Sequence, residues 1–156
     1  MRRSDREIKD RSGLETILEK GDVCRIAFAD DGVPYLVTLN FGYEWTGEFP
    51  SLYFHCASAG RKLEMMRANP RVCFSLDIGH ELSTGPAPCD WGMKYSSIVG
   101  YGDLAELLGD DERRHGLDLI MRHYGWKGAL AYDLGTFRAT TVLRLAIAEL
   151  SGKRKA

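Results

Sequence analysis

What this chain lacks narrows its class before any motif is read. No apolar run approaches the length a membrane-spanning helix needs, so no membrane span is expected. There is no excess of one charge: 21 Lys and Arg face 22 Asp and Glu, a net charge of −1. That balance argues against a dedicated nucleic-acid binder, whose footprint is strongly basic. The N-terminus, Met-Arg-Arg-Ser-Asp-Arg-Glu, has no apolar core and does not read as a signal peptide, so a cytoplasmic protein is expected. There are four cysteines and no C-x-x-C pair, which speaks against a zinc ribbon. Cys24, Cys56 and Cys73 sit in apolar runs and read as reduced, packed thiols, whereas Cys89, in Pro88-Cys89-Asp90-Trp91, is expected near the surface. His80, His115 and His123 share no ligand spacing, and no metal site is expected. Neither G-x-G-x-x-G nor a Walker motif is present, which leaves a Rossmann or P-loop nucleotide site unsupported.

What is present fits one globular domain, residues 1–156, with 44% hydrophobic and 28% charged residues. Two capping-box patterns, Ser4-Asp5-Arg6-Glu7 and Ser12-Gly13-Leu14-Glu15, predict a short turn and then a helix over 13–20 that stops at Gly21. Alternating apolar residues predict strands over 24–29, 34–43 and 52–56, the first two joined by the hairpin signal Asp30-Asp31-Gly32. A helix over 61–68 ends at Asn69-Pro70, and a strand follows at 72–77. Residues 79–89 are rich in Gly, Pro, Ser and Thr and read as a loop. Residues 93–107 are extended, with Gly100 and Gly102 marking a bulge or tight bend. An acid-led helix begins at Asp110 and closes at Gly125, a weak helix or coil spans 126–137, and a last strand covers 140–150 before a short basic tail. About six strands at close spacing, without regular strand–helix alternation, predict a mostly β fold, a small six-stranded barrel with flanking helices.

The stretch 52–62 carries the clearest chemistry. Its apolar strand runs into small residues, Gly60, and then the adjacent cations Arg61 and Lys62 at a helix start. Small residues at a strand-to-helix turn let backbone N–H groups approach an anion, and the helix N-terminus adds partial positive charge. A guanidinium fork beside an ammonium point charge suits a phosphate. A strand end followed by a solvated basic helix start is the other reading. His55 precedes this turn, either as a functional imidazole or as a satisfied core histidine. Asn40 can meet the edge of a heteroaromatic ring or simply hydrogen-bond a strand end. Trp91 and Tyr95 flank the Gly/Pro-rich loop and can stack on a planar ligand or serve as lid or core packing.

Laid out in order, these segments resemble the flavin-binding split-barrel proteins related to pyridoxamine 5′-phosphate oxidase, and within them the nitroimidazole-resistance (Nim-type) branch. The resemblance is carried by Met1-Arg2-Arg3 with Asp5-Arg6-Glu7-Ile8, by Pro34-Tyr35, and by Leu39-Asn40-Phe41-Gly42-Tyr43-Glu44. Leu52-Tyr53-Phe54-His55 with Gly60-Arg61-Lys62-Leu63-Glu64, Cys89-Asp90-Trp91, and Tyr95-Ser96-Ser97-Ile98-Val99-Gly100-Tyr101-Gly102 continue it. The terminal Ser151-Gly152-Lys153-Arg154-Lys155 completes it.

The resemblance implies a six-stranded split barrel that forms a homodimer, with FMN, or FAD, at each interface. The family's phosphate-holding arginine–lysine pair falls on Arg61 and Lys62. Its ring-contacting strand falls on Val37, Thr38, Leu39 and Asn40, and the residues before the clamp on His55, Cys56 and Ala57. The partner subunit's strand falls on Tyr95 to Ser97. The oxidase itself has a C-terminal segment with arginine and tryptophan that grips a substrate phosphate. Here the chain ends Ser-Gly-Lys-Arg-Lys-Ala, so vitamin B6 oxidation is not expected. The expected activity is reduction of a small electrophile such as a nitroaromatic through the flavin, with His55 as the proton donor. The alternative is a flavin or haem carrier or redox sensor with little turnover, in which His55 or His80 would be an axial ligand.

Overall fold

The computed structural model describes residues 4–156; residues 1–3, and with them the Met1-Arg2-Arg3 part of the resemblance, lie outside the described residues. A 3-10 turn at Ser4–Arg6 leads into the two-residue strand β1 (Glu7–Ile8). Helix α1 (Arg11–Lys20) follows and buries Ile17 and Leu18. Its cap is Asp10, whose carboxylate accepts the Gly13 N–H at 2.7 Å, and not the Ser12 of the sequence pattern. Ser12 lies inside the first turn and donates its hydroxyl to the same carboxylate at 2.8 Å.

Strands β2 (Cys24–Asp30) and β3 (Val33–Leu39) form the expected hairpin. Asp31 and Gly32 both take positive φ, 46° and 75°, the handedness that matches strand twist in a two-residue turn. The strand expected over 34–43 is two strands. Phe41 turns into the core with no exposed surface, and the chain changes partner there. β3 pairs with β2, whereas β4 (Gly42–Glu44) pairs with β5 (Ser51–Ala57).

Helix α2 (Arg61–Ala68) has the expected span. β6 (Arg71–Ser83) does not stop before Gly79, so the loop expected over 79–89 is half strand. At Gly79, with φ of 67°, the strand bulges, and its register with β7 (Gly92–Glu106) shifts between Ile78 and Glu81. Only 84–91 is irregular, around a 3-10 turn at Pro88–Asp90. Helix α3 (Asp110–His123) carries its acids in the first turn, α4 (Leu134–Ala139) is short, and β8 (Thr140–Lys155) extends through the expected basic tail. A second register shift, at Tyr101/Gly102, marks the bulge foreseen in β7.

The sheet order is β3-β2-β6-β7-β8-β5-β4, antiparallel throughout, with β1 on β8. The six long strands are those expected; β1 and β4 are short additions. Both ends of the sheet feed one core. Tyr35, Val37 and Leu39 from β3 and Leu52 and Phe54 from β5 join the same cluster, although β3 and β4 do not pair. The sheet therefore curls around its core without closing, as a split barrel. Phe28, Phe41, Phe54 and Phe74 fill that core, each worth about 1.5–3 kcal/mol on burial. The other face of β5 and β8 packs on α3 and α4 through a second cluster of Tyr53, Leu117, Ile120, Phe137 and Val142. No helix among the described residues is long and apolar enough to cross a membrane.

Candidate functional site

Helix α2 is anchored by Leu63, Met65 and Met66 in the main core, and Asn69 at its end donates its side-chain amide to Ala29 O at 3.1 Å. Its start is left open. Gly60 is the cap, with φ 135° and ψ 164°, a region essentially closed to residues with a Cβ. Gly60 O accepts the Leu63 and Glu64 N–H groups at 2.9 and 3.3 Å, and no side chain caps the turn. The N–H groups of Arg61 and Lys62 are thus left for an external acceptor. The Arg61 guanidinium lies over the Tyr35 ring at 4.6 Å, which ties the helix start to β3. Among the described residues no carboxylate lies within ion-pair distance of Arg61 or Lys62. Burial raises the Cys56 thiol above its usual range while the Lys62 charge opposes that rise, which puts Lys62 beside the end of β5.

The alternation of β5 separates the neighbours His55 and Cys56. Cys56 packs against the main core. His55 is on the side of α3 and α4, where it lines a pocket of about 300 Å³ with Leu117, Ile120, Met121, Tyr132 and Phe137. Two residues back on that face, the Tyr53 hydroxyl donates to Glu44, whose other oxygen lies 3.0 Å from His115 Nε2. Ala57 ends β5 at the surface.

On β3, Val37 and Leu39 face the core and Thr38 is exposed, as is Asn40 just past the strand's end. β3 is the last strand of the sheet, so its edge away from β2 pairs with no strand among the described residues. Backbone groups on that edge can hydrogen-bond the rim of a flat ring.

Trp91, Tyr95 and Ser97 are elsewhere. Trp91 is 56% exposed and donates its indole N–H to Gly85 O at 3.1 Å. Arg61 shares a groove with Asp30, Asp31 and Val33 at the β2–β3 tip, by the Arg71/Asp103 end of β6 and β7. Tyr95 is eight residues further along β7, about 25 Å of strand. The fold brings His55 to Ala57 and Arg61 and Lys62 toward one end of the molecule and holds Trp91, Tyr95 and Ser97 at the other; Val37 to Asn40 run along β3 from the first end toward the second, Leu39 standing opposite Cys24 and so level with Ile98 of β7.

Three features were not legible beforehand. Tyr35 under Arg61 looks like any strand aromatic. The pocket beside His55 draws Tyr132 and Phe137 from a segment with weak helical pattern. The basic tail is strand, and it sets Lys153 and Lys155 beside Tyr95. Among the described residues, no group of three or more His, Cys, Asp or Glu side chains is placed to hold a metal ion.

A family model described as pyridoxamine 5′-phosphate oxidase matches residues 10–154. The chain belongs to the pyridoxamine 5′-phosphate oxidase family. Within it, a candidate 5-nitroimidazole antibiotic resistance protein of Bacteroides thetaiotaomicron is 33% identical, with 95% of this chain and 86% of that one covered and a TM-score of 0.82. An FAD-binding protein of Mesorhizobium loti is 28% identical over 97% of this chain and 98% of that one, with a TM-score of 0.66. The FAD and heme binding protein of Mycobacterium smegmatis shares the fold, with a TM-score of 0.81 at 20% identity over 96% of this chain and 73% of that one. No curated protein matches the chain.

Proposed function

We propose that this family member binds FMN or FAD, with the flavin phosphate on the Gly60-Arg61-Lys62 turn, and reduces small electrophiles such as nitroaromatics as a homodimer. The observation that carries the reading is the open start of α2. Uncapped N–H groups, a glycine in a conformation reserved to glycine, and two cations with no carboxylate partner among the described residues make a fitting cradle for a phosphate. The unpaired edge of β3 at 37–40 suits the polar rim of the flavin ring. When bound, the flavin would relay electrons from an external reductant to the substrate.

The chain's own residues bind and orient. Arg61 and Lys62 neutralise the phosphate, and the Tyr35 ring holds the Arg61 fork in place. His55 lies at the margin of an apolar pocket at the lower end of the usual size for small-molecule sites, and it donates the proton that a reduced nitro group needs. The apolar lining of Leu117, Ile120, Met121 and Phe137 favours a small flat substrate and keeps water away from it. Tyr95, Ser97 and Trp91, too far along β7 to serve their own chain's clamp, are supplied by the second protomer. The candidate resistance protein at 33% identity supports the nitroaromatic class of substrate.

Replacing Arg61 and Lys62 together by alanine is expected to weaken FMN binding by about 2–5 kcal/mol in a fluorescence titration. Unchanged affinity in that variant would remove the clamp from the account. A flavin absorption spectrum of the purified protein supports the reductase reading; a Soret band supports the haem carrier instead.

A further inference from the structure

The β7–β8 end of the sheet carries a second cationic cluster, away from the Arg61-Lys62 turn. Tyr95 stands opposite Lys155, and Ser97 opposite Lys153, so all four side chains share one face. The Lys153 ammonium lies 5.6 Å from the centre of the Tyr95 ring. Lys155 reaches across Gly92, where a Cβ would collide with its Nζ, so glycine at 92 leaves the ammonium its place. The Tyr95 phenol is held below its ordinary value, first by its hydrogen bond with Lys153 and then by the charges of Lys153, Arg6 and Lys155. Three cations therefore act on one phenol.

Their neutralisation within the chain is incomplete. Among the described residues no carboxylate lies within ion-pair distance of Lys153 or Lys155. Glu7, opposite Lys153 on β1, pairs with Lys9 at 3.7 Å, and Arg6 meets Asp5 at 3.8 Å. Beside them an open groove of about 420 Å³ is lined by Arg6, Arg154 and Lys155, with Asp5, Glu7 and Asp10 on its other side.

We propose that Lys153, beside the Tyr95 ring, with Lys155 and Arg6 of the adjoining groove, forms an anion site that takes a phosphate-bearing group and is separate from the Arg61-Lys62 turn. The two lysines stand one strand repeat apart on β8, about 6.6 Å between their Cα atoms. The role of the site rests on the flavin reading: the group is either the second phosphate of FAD or a phosphate on the substrate.

The test uses calorimetry with inorganic pyrophosphate on the Arg61→Ala/Lys62→Ala protein, in which the first turn no longer competes. Binding is expected there, and adding Lys153→Gln and Lys155→Gln should weaken it about tenfold or more. No pyrophosphate binding, or binding indifferent to the two lysines, overturns the proposal. In the otherwise native chain, Lys153→Gln/Lys155→Gln should weaken FAD about tenfold and leave FMN unchanged if the cofactor is the source. If the substrate is the source, the KM for 4-nitrophenyl phosphate should rise with kcat steady and nitrobenzene unaffected. An equal loss for FMN, FAD and nitrobenzene would mean that the lysines only support the fold, and it too overturns the proposal. Should FMN affinity prove indifferent to Arg61→Ala/Lys62→Ala, the flavin reading fails by itself, and the pyrophosphate result still decides this site.

Discussion

His55 and Tyr53 lie two residues apart on one face of β5, yet they are suited to different work. Tyr53 is buried, and its phenol is pushed up by burial and by the Glu44 carboxylate it bonds, so it stays a neutral hydrogen-bond donor. His55 is exposed and lines the pocket on the α3–α4 side of the strand. Under the reductase reading, His55→Gln should lower the turnover of a nitroaromatic substrate by about a hundredfold or more while flavin affinity holds. A parallel loss of flavin would instead make His55 part of the binding surface. Glu44 supplies a pH test. Burial pushes its carboxyl up, but the hydrogen bonds from Tyr53 and His115 outweigh burial and hold it below the usual 4.5 or so. A carboxyl depressed on folding stabilises above its unfolded value, and that contribution is lost as pH falls through the folded value. Urea unfolding should therefore show wild-type stability declining below about pH 4.5, with a shallower decline in Glu44→Gln. Equal slopes would mean that the Tyr53–Glu44–His115 cluster does not hold together in solution.

The Arg61 guanidinium over the Tyr35 ring ties the start of helix α2 to strand β3. Exposed stacking of this kind is worth about 0.5–1 kcal/mol. Tyr35→Ala should thus cost two- to fivefold in FMN affinity by freeing the Arg61 fork, while Tyr35→Phe, which keeps a ring, should cost little. If both variants bind like wild type, Arg61 is positioned by something other than Tyr35. The span of α2 and the turn before it could be read in advance because their signals are local: small residues, a glycine, two cations and the stop at Asn69-Pro70 are adjacent in sequence. The ends of β6 and β8 could not. Gly79 and the residues after it look like loop, and they are strand only because Lys94, Met93 and Gly92 of β7 lie opposite Glu81, Leu82 and Ser83. Ser151 to Lys155 look like a polar tail, and they are strand because β7 and β1 flank them on both sides. At Asn40 the alternation continues without interruption in the sequence; the change of partner from β2 to β5 is a property of the curled sheet.

Across the whole molecule, the candidate residues fall into two groups that one chain keeps apart. Arg61 and Lys62 stand near the Arg71/Asp103 end of β6 and β7, and Ser97 and Tyr95 stand about 20 and 25 Å away along β7. The outer face between them carries Val99 and Tyr101, 39% and 44% exposed, and Leu36 on β3 is 61% exposed, apolar surface of the kind that a second copy can cover. If two protomers pack so that each lends its Tyr95 strand to the other's clamp, defects in the two groups should complement. A chain with Arg61→Ala/Lys62→Ala has a broken clamp and a sound lending strand. A chain with Tyr95→Ala and Ser97→Arg has the reverse, the arginine filling the space the ring would enter. Each homodimer then has two defective sites. In the mixed dimer both defects fall on one site, and the other site is whole. Differently tagged chains, refolded together and purified through both tags, should bind one flavin per two chains by absorbance, whereas either parent alone binds almost none. If the mixed dimer is as empty as its parents, each chain builds its site alone, and the placing of Tyr95 and Ser97 on the partner's flavin has to be given up.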